Sequence, residues 1–544
     1  MEQSIGPVTR LWNLVREEKA DIIAIYFFAV LGGLIQLSLP VGIQAIIGFV
    51  LGGVMSTSLA VLISILILAV LFSGLIQLSQ MRVIERIQQR IFAKYAFAFS
   101  DRIPKLDLKK IDSLYLPELV NRFFDTTALQ KGLAKILLDV PTAMIQIAFG
   151  LLLLSFYHPF FILFGLFLVL LLWLILYLTG SKGLQSSLAE SRHKYAVVGW
   201  LEEMARMTKS FKVASYTGLH LKKANKKTIL YLEARTNHFG VLLFQYRTII
   251  FFKVAITAAM LIIGVMLLLR QQINIGQFVA AEIIIITVIS AVEKIIVNLD
   301  SVYDVLTAVE KVSKLTDKPV EHTGSFDLQD VDGMRFEARN LSFGYEAEKP
   351  ILAKLSFTIQ NGEKVAITGN DGSGKSTLLR LLLGVYKDFN GSLSVQGIPI
   401  GNYNLESLRR KIGILFPQEN IFHGTLWENI TMGQEDIDKA YLIELSTQIG
   451  LQPFIASLPF GYDTDLDPTG IRLPRNVIQK ILLLRALAHR PRLLVMEEPW
   501  QGIEDHNKNN IQELLLGLKS ITVVIATSDD AFARRCDQAI HLHS

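Results

Sequence analysis

Long unbroken apolar runs fill the first 300 residues and then stop. A bilayer core takes about 20 consecutive apolar residues per helix. Six stretches meet that length, at residues 22–45, 59–79, 134–157, 159–179, 246–269 and 275–297. The first contains Gly32, Gly33 and Pro40, which a packed membrane helix tolerates. Residues 160–174 are too uniformly apolar for a soluble helix, which needs a polar face. The loops at 81–132 and 181–244 carry ten and eleven Lys/Arg, whereas 46–58 and 155–159 carry none and 270–274 only Arg270. Excess Lys and Arg mark the cytoplasmic side. The pattern therefore predicts cytoplasmic termini, two long cytoplasmic loops and short outer ones. The long loops keep a helical period, so they should extend the spans as two helical hairpins with tips near 115–125 and 210–221.

Residues 317–333 are polar, with Pro, Gly and several acids, and read as a linker. From Met334 onward short β-rich runs (392–395, 411–415, 493–496 and 521–526) alternate with helical patterns. The expected organisation is a six-helix membrane domain at 1–316, a linker at 317–333 and an α/β domain at 334–544. Composition agrees. Hydrophobic residues make up 51% and charged residues 19%, and mean hydropathy is +0.39. These values exclude a disordered chain, a collagen and a disulfide scaffold. A net charge of +5 over 544 residues gives no reason to expect nucleic acid as a partner. The single cysteine, Cys536, excludes an internal disulfide and a Cys/His zinc cluster. The mixed-charge N-terminus does not read as a cleavable signal.

The sharpest chemical signal is Gly369-Asn370-Asp371-Gly372-Ser373-Gly374-Lys375-Ser376, which fits G-x-x-x-x-G-K-[ST]. A strand pattern precedes it and a helix pattern follows, starting at Thr377, which is the setting the motif requires. Its glycines let backbone N–H groups turn inward around phosphates, and the helix N-terminus adds partial positive charge. Lys375 should reach the outer phosphates and Ser376 should ligate Mg²⁺. A later strand ends in Glu497 and Glu498. The first acid falls near Mg²⁺, and the second is placed to polarise an attacking water.

Membrane domain, linker, phosphate loop and acidic strand follow one another as in a half-transporter of the ATP-binding cassette exporter family, and the resemblance covers essentially the whole chain. Leu341-Ser342-Phe343-Gly344-Tyr345 looks like the adenine-stacking loop, which puts Tyr345 under the base. Phe416-Pro417-Gln418 looks like the Q-loop, which implies that Gln418 contacts Mg²⁺ and senses the coupling helices. The stretches from Phe422 to Ile430 and from Leu458 to Thr464 match in register as well. The resemblance implies ATP and Mg²⁺ as cofactors. It also implies a second half-transporter as partner, each ATP lying between one chain's phosphate loop and the other's signature loop. Closing that sandwich would move the coupling helices, identified with the two loop tips, and switch the membrane cavity from inward to outward access. The overall character of the membrane half, with Ile275-Gly276-Gln277-Phe278-Val279-Ala280-Ala281 opening the sixth span, looks most like bacterial type I secretion exporters, which work from the inner membrane with a periplasmic adaptor and an outer-membrane channel. The 20 residues ahead of the first span leave no room for a peptidase domain.

Three motifs depart from the family pattern. The signature L-S-G-G-Q reads Leu473-Pro474-Arg475-Asn476-Val477, so the Ser hydroxyl, both glycines and the Gln are gone. Glu497 stands where an Asp is usual, and its extra methylene pushes the carboxylate further from the strand. Ser528 stands at the switch histidine's position. In a homodimer both sites would lack signature and histidine, while keeping Lys375 and Glu498. With an ordinary partner, neither site would be complete. Two functions follow: an exporter subunit with slow hydrolysis, or an ATP-binding subunit that regulates a partner transporter. Within the spans, Asp139, Lys253, Glu282, Glu293 and Lys294 are ionisable. Such residues usually face a cavity or a partner, and Lys253 and Glu282 are expected to pair across neighbouring spans.

Overall fold

A computed structural model describes residues 6–53, 57–111, 115–214, 217–345, 349–417, 420–466 and 473–543. The chain divides into two compact units. One takes in residues 1–105 and 114–318, the other residues 106–113 and 319–544.

The first unit is helical throughout: α1 (Pro7–Glu17), α2 (Lys19–Leu51), α3 (Thr57–Arg102), α4 (Leu108–Ile111, assigned to the second unit), α5 (Leu116–Asn121), α6 (Asp125–Tyr157), α7 (Phe160–Arg206), α8 (Thr208–Val213), α9 (Leu219–Leu269), α10 (Ile275–Val297) and α11 (Leu299–Thr316). Among the described residues six helices are long and apolar enough to cross a membrane. They contain all six runs expected from the hydropathy pattern. Much of their apolar surface faces outward: Ile65, Leu68, Leu71 and Phe72 on α3 are all more than half or nearly half exposed. Lipid rather than protein is the natural cover for such a face. The buried faces pack α2 on α3, α7 on α9, and α6 against α10 and α11. Small residues allow the closest approaches. A Cβ on Gly183 of α7 would fall 2.2 Å from Tyr303 Cζ on α11. Beside that contact the Gln245 amide donates to Thr179 Oγ1 at 2.7 Å and to the Tyr303 hydroxyl at 2.9 Å, so the buried amide nitrogen is satisfied.

The ionisable residues in the spans pair differently from the expectation. Lys253 on α9 donates to Glu293 on α10 at 3.1 Å, not to Glu282. Lys294 on α10 meets Asp139 on α6 at 2.6 Å. The hairpin turn between α9 and α10 explains the correction. Positions equidistant from the turn at 270–274 lie side by side, which puts residue 253 level with 291. Glu282 lies on the same face as Glu293 but three helical turns away, roughly 16 Å.

The second unit carries β1 (Phe336–Phe343), β2 (Leu352–Ile359), β3 (Lys364–Gly369), α12 (Lys375–Leu382), β4 (Asn390–Val395), β5 (Ile398–Pro399), α13 (Leu405–Arg409), β6 (Ile412–Leu415), β7 (Gly424–Thr425), α14 (Leu426–Thr431), α15 (Lys439–Gln448), α16 (Gln452–Ser457), β8 (Asp465–Leu466), α17 (Arg475–Leu487), β9 (Leu493–Glu497), α18 (Asp505–Gly517), β10 (Thr522–Ala526), α19 (Asp530–Ala533) and β11 (Gln538–Leu542). A parallel sheet runs β11-β3-β10-β9-β6, and an antiparallel sheet runs β2-β1-β4-β5. Helix α12 packs its Leu378, Leu381 and Leu382 into the core that joins the two sheets. A second core, on the side of α14 to α18, buries Leu482, Leu483, Leu487 and Met496. The polar stretch read as a linker docks on this unit from Pro319 onward. Val320 bridges Leu106, Phe326 bridges Tyr403, and Leu328 is buried. The hairpin segment in this unit is 106–113, just before the expected tip at 115–125. There Lys109 reaches Asp388 at 3.2 Å and lies 5.6 Å over the Phe343 ring.

Candidate nucleotide site

The parallel sheet brings the candidate residues to one edge. Ile540, Ile367, Ala526 and Glu497 form a single row across β11, β3, β10 and β9. Gly369, Glu498, Thr527 and Ser528 all lie one or two residues beyond that row, at the C-terminal edge where α/β sheets bind ligands.

The loop from β3 to α12 needs its glycines. Gly369 has φ 142°, and a Cβ there would fall 2.5 Å from Leu542 O. Gly374 has φ 94°, and its Cβ would meet Ile351 and Leu352 side chains at 2.9 Å. Only glycine takes such angles in such space. The loop curls back on itself: Ser373 N–H donates to Asn370 O at 3.1 Å. Lys375 Nζ donates to Gly369 O at 2.7 Å and Asn370 O at 3.0 Å, with Asp371 at 3.8 Å and Gly372 between. Its ammonium thus stands over the mouth of the loop. The Ser373 hydroxyl is buried with no hydrogen-bond partner among the described residues. A buried, unsatisfied hydroxyl is costly, and a phosphate oxygen in this cradle would satisfy it.

Ser376 Oγ donates to Glu497 Oε1 at 2.6 Å. The glutamate's longer side chain therefore still reaches the hydroxyl that an aspartate would be expected to approach. Two hard oxygen groups converge here, the donor type that suits Mg²⁺. Among the described residues no three His, Cys, Asp or Glu side chains gather into an all-protein metal cage. That fits an ion which keeps waters and phosphate oxygens as most of its ligands.

Glu498 stands in the left-handed region at φ 44°, a strained position for a side chain of this size. Its N–H donates to Ala526 O at 2.9 Å, which fixes the turn after β9. Its carboxylate is already engaged: Thr527 Oγ1 donates to Oε2 at 3.2 Å and the Ser528 N–H donates to Oε1 at 2.5 Å. Gln479 of α17 donates to the carbonyls of Glu498 (3.4 Å) and Pro499 (3.1 Å). Thr527 and Gln479 escaped the sequence reading. Thr527 had a signal, since it adjoins the altered switch position at the end of a strand.

Tyr345, just past β1, sets its hydroxyl 3.3 Å from Thr377 Oγ1 and its ring edge-on to Phe343 and Tyr386. Arg380, one helical turn beyond Thr377, approaches the hydroxyls of Tyr345 and Tyr386 at 3.5 Å. Helical spacing alone could have found it. The structure thus brings Tyr345, the loop, Ser376, Thr377, Glu497 and Glu498 together. Gln418 lies outside the described residues, three positions after β6, which ends at the same sheet edge.

The altered signature forms the start of α17. Pro474 takes extended angles just before it, and Arg475 is exposed. Asn476 donates to Glu504, which also accepts from Lys480 at 3.2 Å and Asn507 at 3.1 Å. Hydrogen bonds from its own backbone amide, Asn507 and Asn476 hold the Glu504 carboxyl down to about 2. Beyond α17, burial pulls the His489 imidazole below its ordinary value of 6.5, and its Nε2 has no partner among the described residues. The unfolded chain takes up this proton at ordinary pH values and the folded chain only at lower ones. Stability is therefore full above pH 6.5 and falls as pH drops from there toward the folded pKa. Thermal melts between pH 7.5 and 5 should show this loss, and His489→Gln should flatten it.

Residues 352–501 match the family described as "ABC transporter", and residues 22–292 match "ABC transporter transmembrane region". The "ATP-dependent lipid A-core flippase" of Saccharophagus degradans is 33% identical over 223 residues, 41% of this chain and 38% of that protein. The "Probable ABC transporter ATP-binding/permease protein" of Haemophilus influenzae is 30% identical over 325 residues, 60% of this chain and 56% of that protein. The chain thus spans about half the length, or less, of these curated relatives. A solved structure, "Structure of a bacterial Atm1-family ABC exporter with ATP bound", superposes with a TM-score of 0.80 at 20% identity, covering 97% of this chain and 94% of that one. It shares the fold. With a transmembrane region and an ABC domain matched in sequence, in order along one polypeptide, the chain belongs to the ABC transporter family.

Proposed function

We propose that this chain is an ATP-dependent exporter half-transporter whose nucleotide binding outweighs its turnover. One observation carries the reading: a complete phosphate loop, with Lys375 and Ser376 in place, faces a Glu498 carboxylate already held by Thr527 and Ser528. Lys375 and the N-terminus of α12 bind the outer phosphates. Ser376 and Glu497 would hold Mg²⁺, which when bound neutralises phosphate charge. Thr527 and the Ser528 amide each take one lone pair of the Glu498 carboxylate and fix its orientation, and the remaining lone pairs orient the attacking water. Ser528 is too short to bridge to the outer phosphate as an imidazole at that position would.

A second half-transporter supplies the facing signature loop, and closure of the pair drives alternating access. The Lys/Arg-rich loops support an inner-membrane location with both termini in the cytoplasm. Between α2, α3, α6 and α10 lies a cavity of about 490 Å³ whose lining includes Gln36, Gln77, Gln146, Thr142 and Lys294 among apolar side chains. Amides and one ammonium on an apolar wall suit an amphipathic, lipid-like cargo, in keeping with the flippase name of one relative. A secretion-type assembly, with periplasmic adaptor and outer-membrane channel, rests on the resemblance of the membrane half alone. A regulatory role beside a catalytic partner is favoured by the altered signature. In proteoliposomes the full chain should bind Mg-ATP and move a fluorescent lipid analogue between leaflets when ATP is added. Binding without movement, alone and with a second half-transporter, supports the regulatory role. No binding overturns both.

A further inference from the structure

The first unit contains a second cavity, of about 600 Å³, remote from the amphipathic one. Its lining includes Arg122 beside α5, Arg192 and Arg206 of α7, Lys227 of α9, and Lys311 and Lys314 of α11. Two acids, Glu118 and Glu203, share the wall. The lining therefore has four positive charges in excess. Among the described residues one ion pair joins the lining residues to one another, Arg122 with Glu118 at 3.4 Å.

Lys311 makes the arrangement informative. It is 4% exposed, and among the described residues it has no hydrogen bond or ion pair, only the Tyr195 ring at 5.7 Å. Buried ammonium groups are normally paired. The nearby Arg122 Nε is also buried without a partner among the described residues. Asp125 is near enough to act electrostatically on Lys311, but its Oδ1 pairs with Lys194 at 3.3 Å and it offsets only one of the cavity's excess charges. The cavity is thus built around charge that the chain itself leaves uncompensated.

Position and aromatic contacts narrow the ligand. Arg192 and Arg206 lie 13 and 27 residues past the apolar run that ends at 179, about 20 and 40 Å along a continuous helix. That is too far for a lipid headgroup, so the ligand comes from solution. The Trp200 ring already has Lys223 over it at 4.7 Å, and the Tyr195 ring has Lys194 at 5.0 Å and Lys311 at 5.7 Å. Neither ring is free to stack on a base. Guanidinium forks and ammonium groups together are the usual phosphate-binding set, and a chain of two or three phosphates matches the excess charge.

We propose that this cavity binds a small soluble polyphosphate and reads its charge without reading a base. The site is independent of the phosphate loop at Lys375 and of the exporter reading.

The test is titration of the purified full chain with inorganic triphosphate, without Mg²⁺, by calorimetry. Lys375→Ala should retain one triphosphate site that weakens steeply with salt. Adding Lys311→Met and Arg192→Gln to that variant should weaken the site at least tenfold and abolish the rise in melting temperature that triphosphate gives. Arg192→Gln with Arg206→Gln, both exposed positions that leave the packing untouched, should also weaken it. The proposal is overturned if Lys375→Ala alone removes all triphosphate binding, or if the cavity variants bind as tightly as their parent. It is likewise overturned if those variants change only the self-association of the chain.

Discussion

Lys375→Ala should strongly weaken nucleotide binding at the phosphate loop. The ammonium lies within 3.0 Å of two loop carbonyls and stands over the cradle that Gly369 and Gly374 hold open. Once phosphates are present those contacts exchange for charge-assisted hydrogen bonds, each worth roughly 1.5–3 kcal/mol. Losing two of them should weaken Mg-ATP binding at least ~10²-fold, as read by titration of a fluorescent ATP analogue. The fold should survive, since the side chain points at the loop and not into the core. Unchanged affinity would show that ATP is held elsewhere and would remove the basis for the exporter reading.

Restoring the altered motifs should accelerate phosphate release. Pro474→Ser, Arg475→Gly, Asn476→Gly and Val477→Gln rebuild the signature, and Ser528→His returns an imidazole beside Glu498. Each charge-stabilising or positioning group of this kind is often worth ~10²-fold in rate, so the combined variant should gain on the order of 10²-fold or more. Asn476 also ties α17 to Glu504, and part of the gain is offset by losing that tie. Glu498→Gln added to the repaired chain should return phosphate release to the baseline. If the repaired chain is no faster than the parent, something other than these motifs limits turnover.

The spans and the phosphate loop were legible because each is a local signal: a run of apolar residues, or a turn with obligatory glycines between strand and helix. The acids after β9 were legible for the same reason. Pairings between elements were not. Lys253 was matched to Glu282 because the two lie on neighbouring spans, yet the hairpin sets Glu293 at its level. Counting outward from the turn would have corrected this. Thr527 and Ser528 reach Glu498 only because β10 lies between β3 and β9, a neighbour relation that no linear spacing encodes. Strand β11, which closes against Gly369, is only five residues long and was not among the expected β-rich runs. Lys311 was invisible for the opposite reason: on the sequence it is one lysine on a helix of mixed charge, and only its burial sets it apart.

The corrected pairs have a physical consequence for transport. Lys253 with Glu293, and Lys294 with Asp139, each sum to zero. Such a couple, displaced as a unit, carries no net electrical load through the bilayer. Membrane voltage acts on net displaced charge, about 2.3 kcal/mol per elementary charge for each 100 mV, and on these neutral couples it does no work.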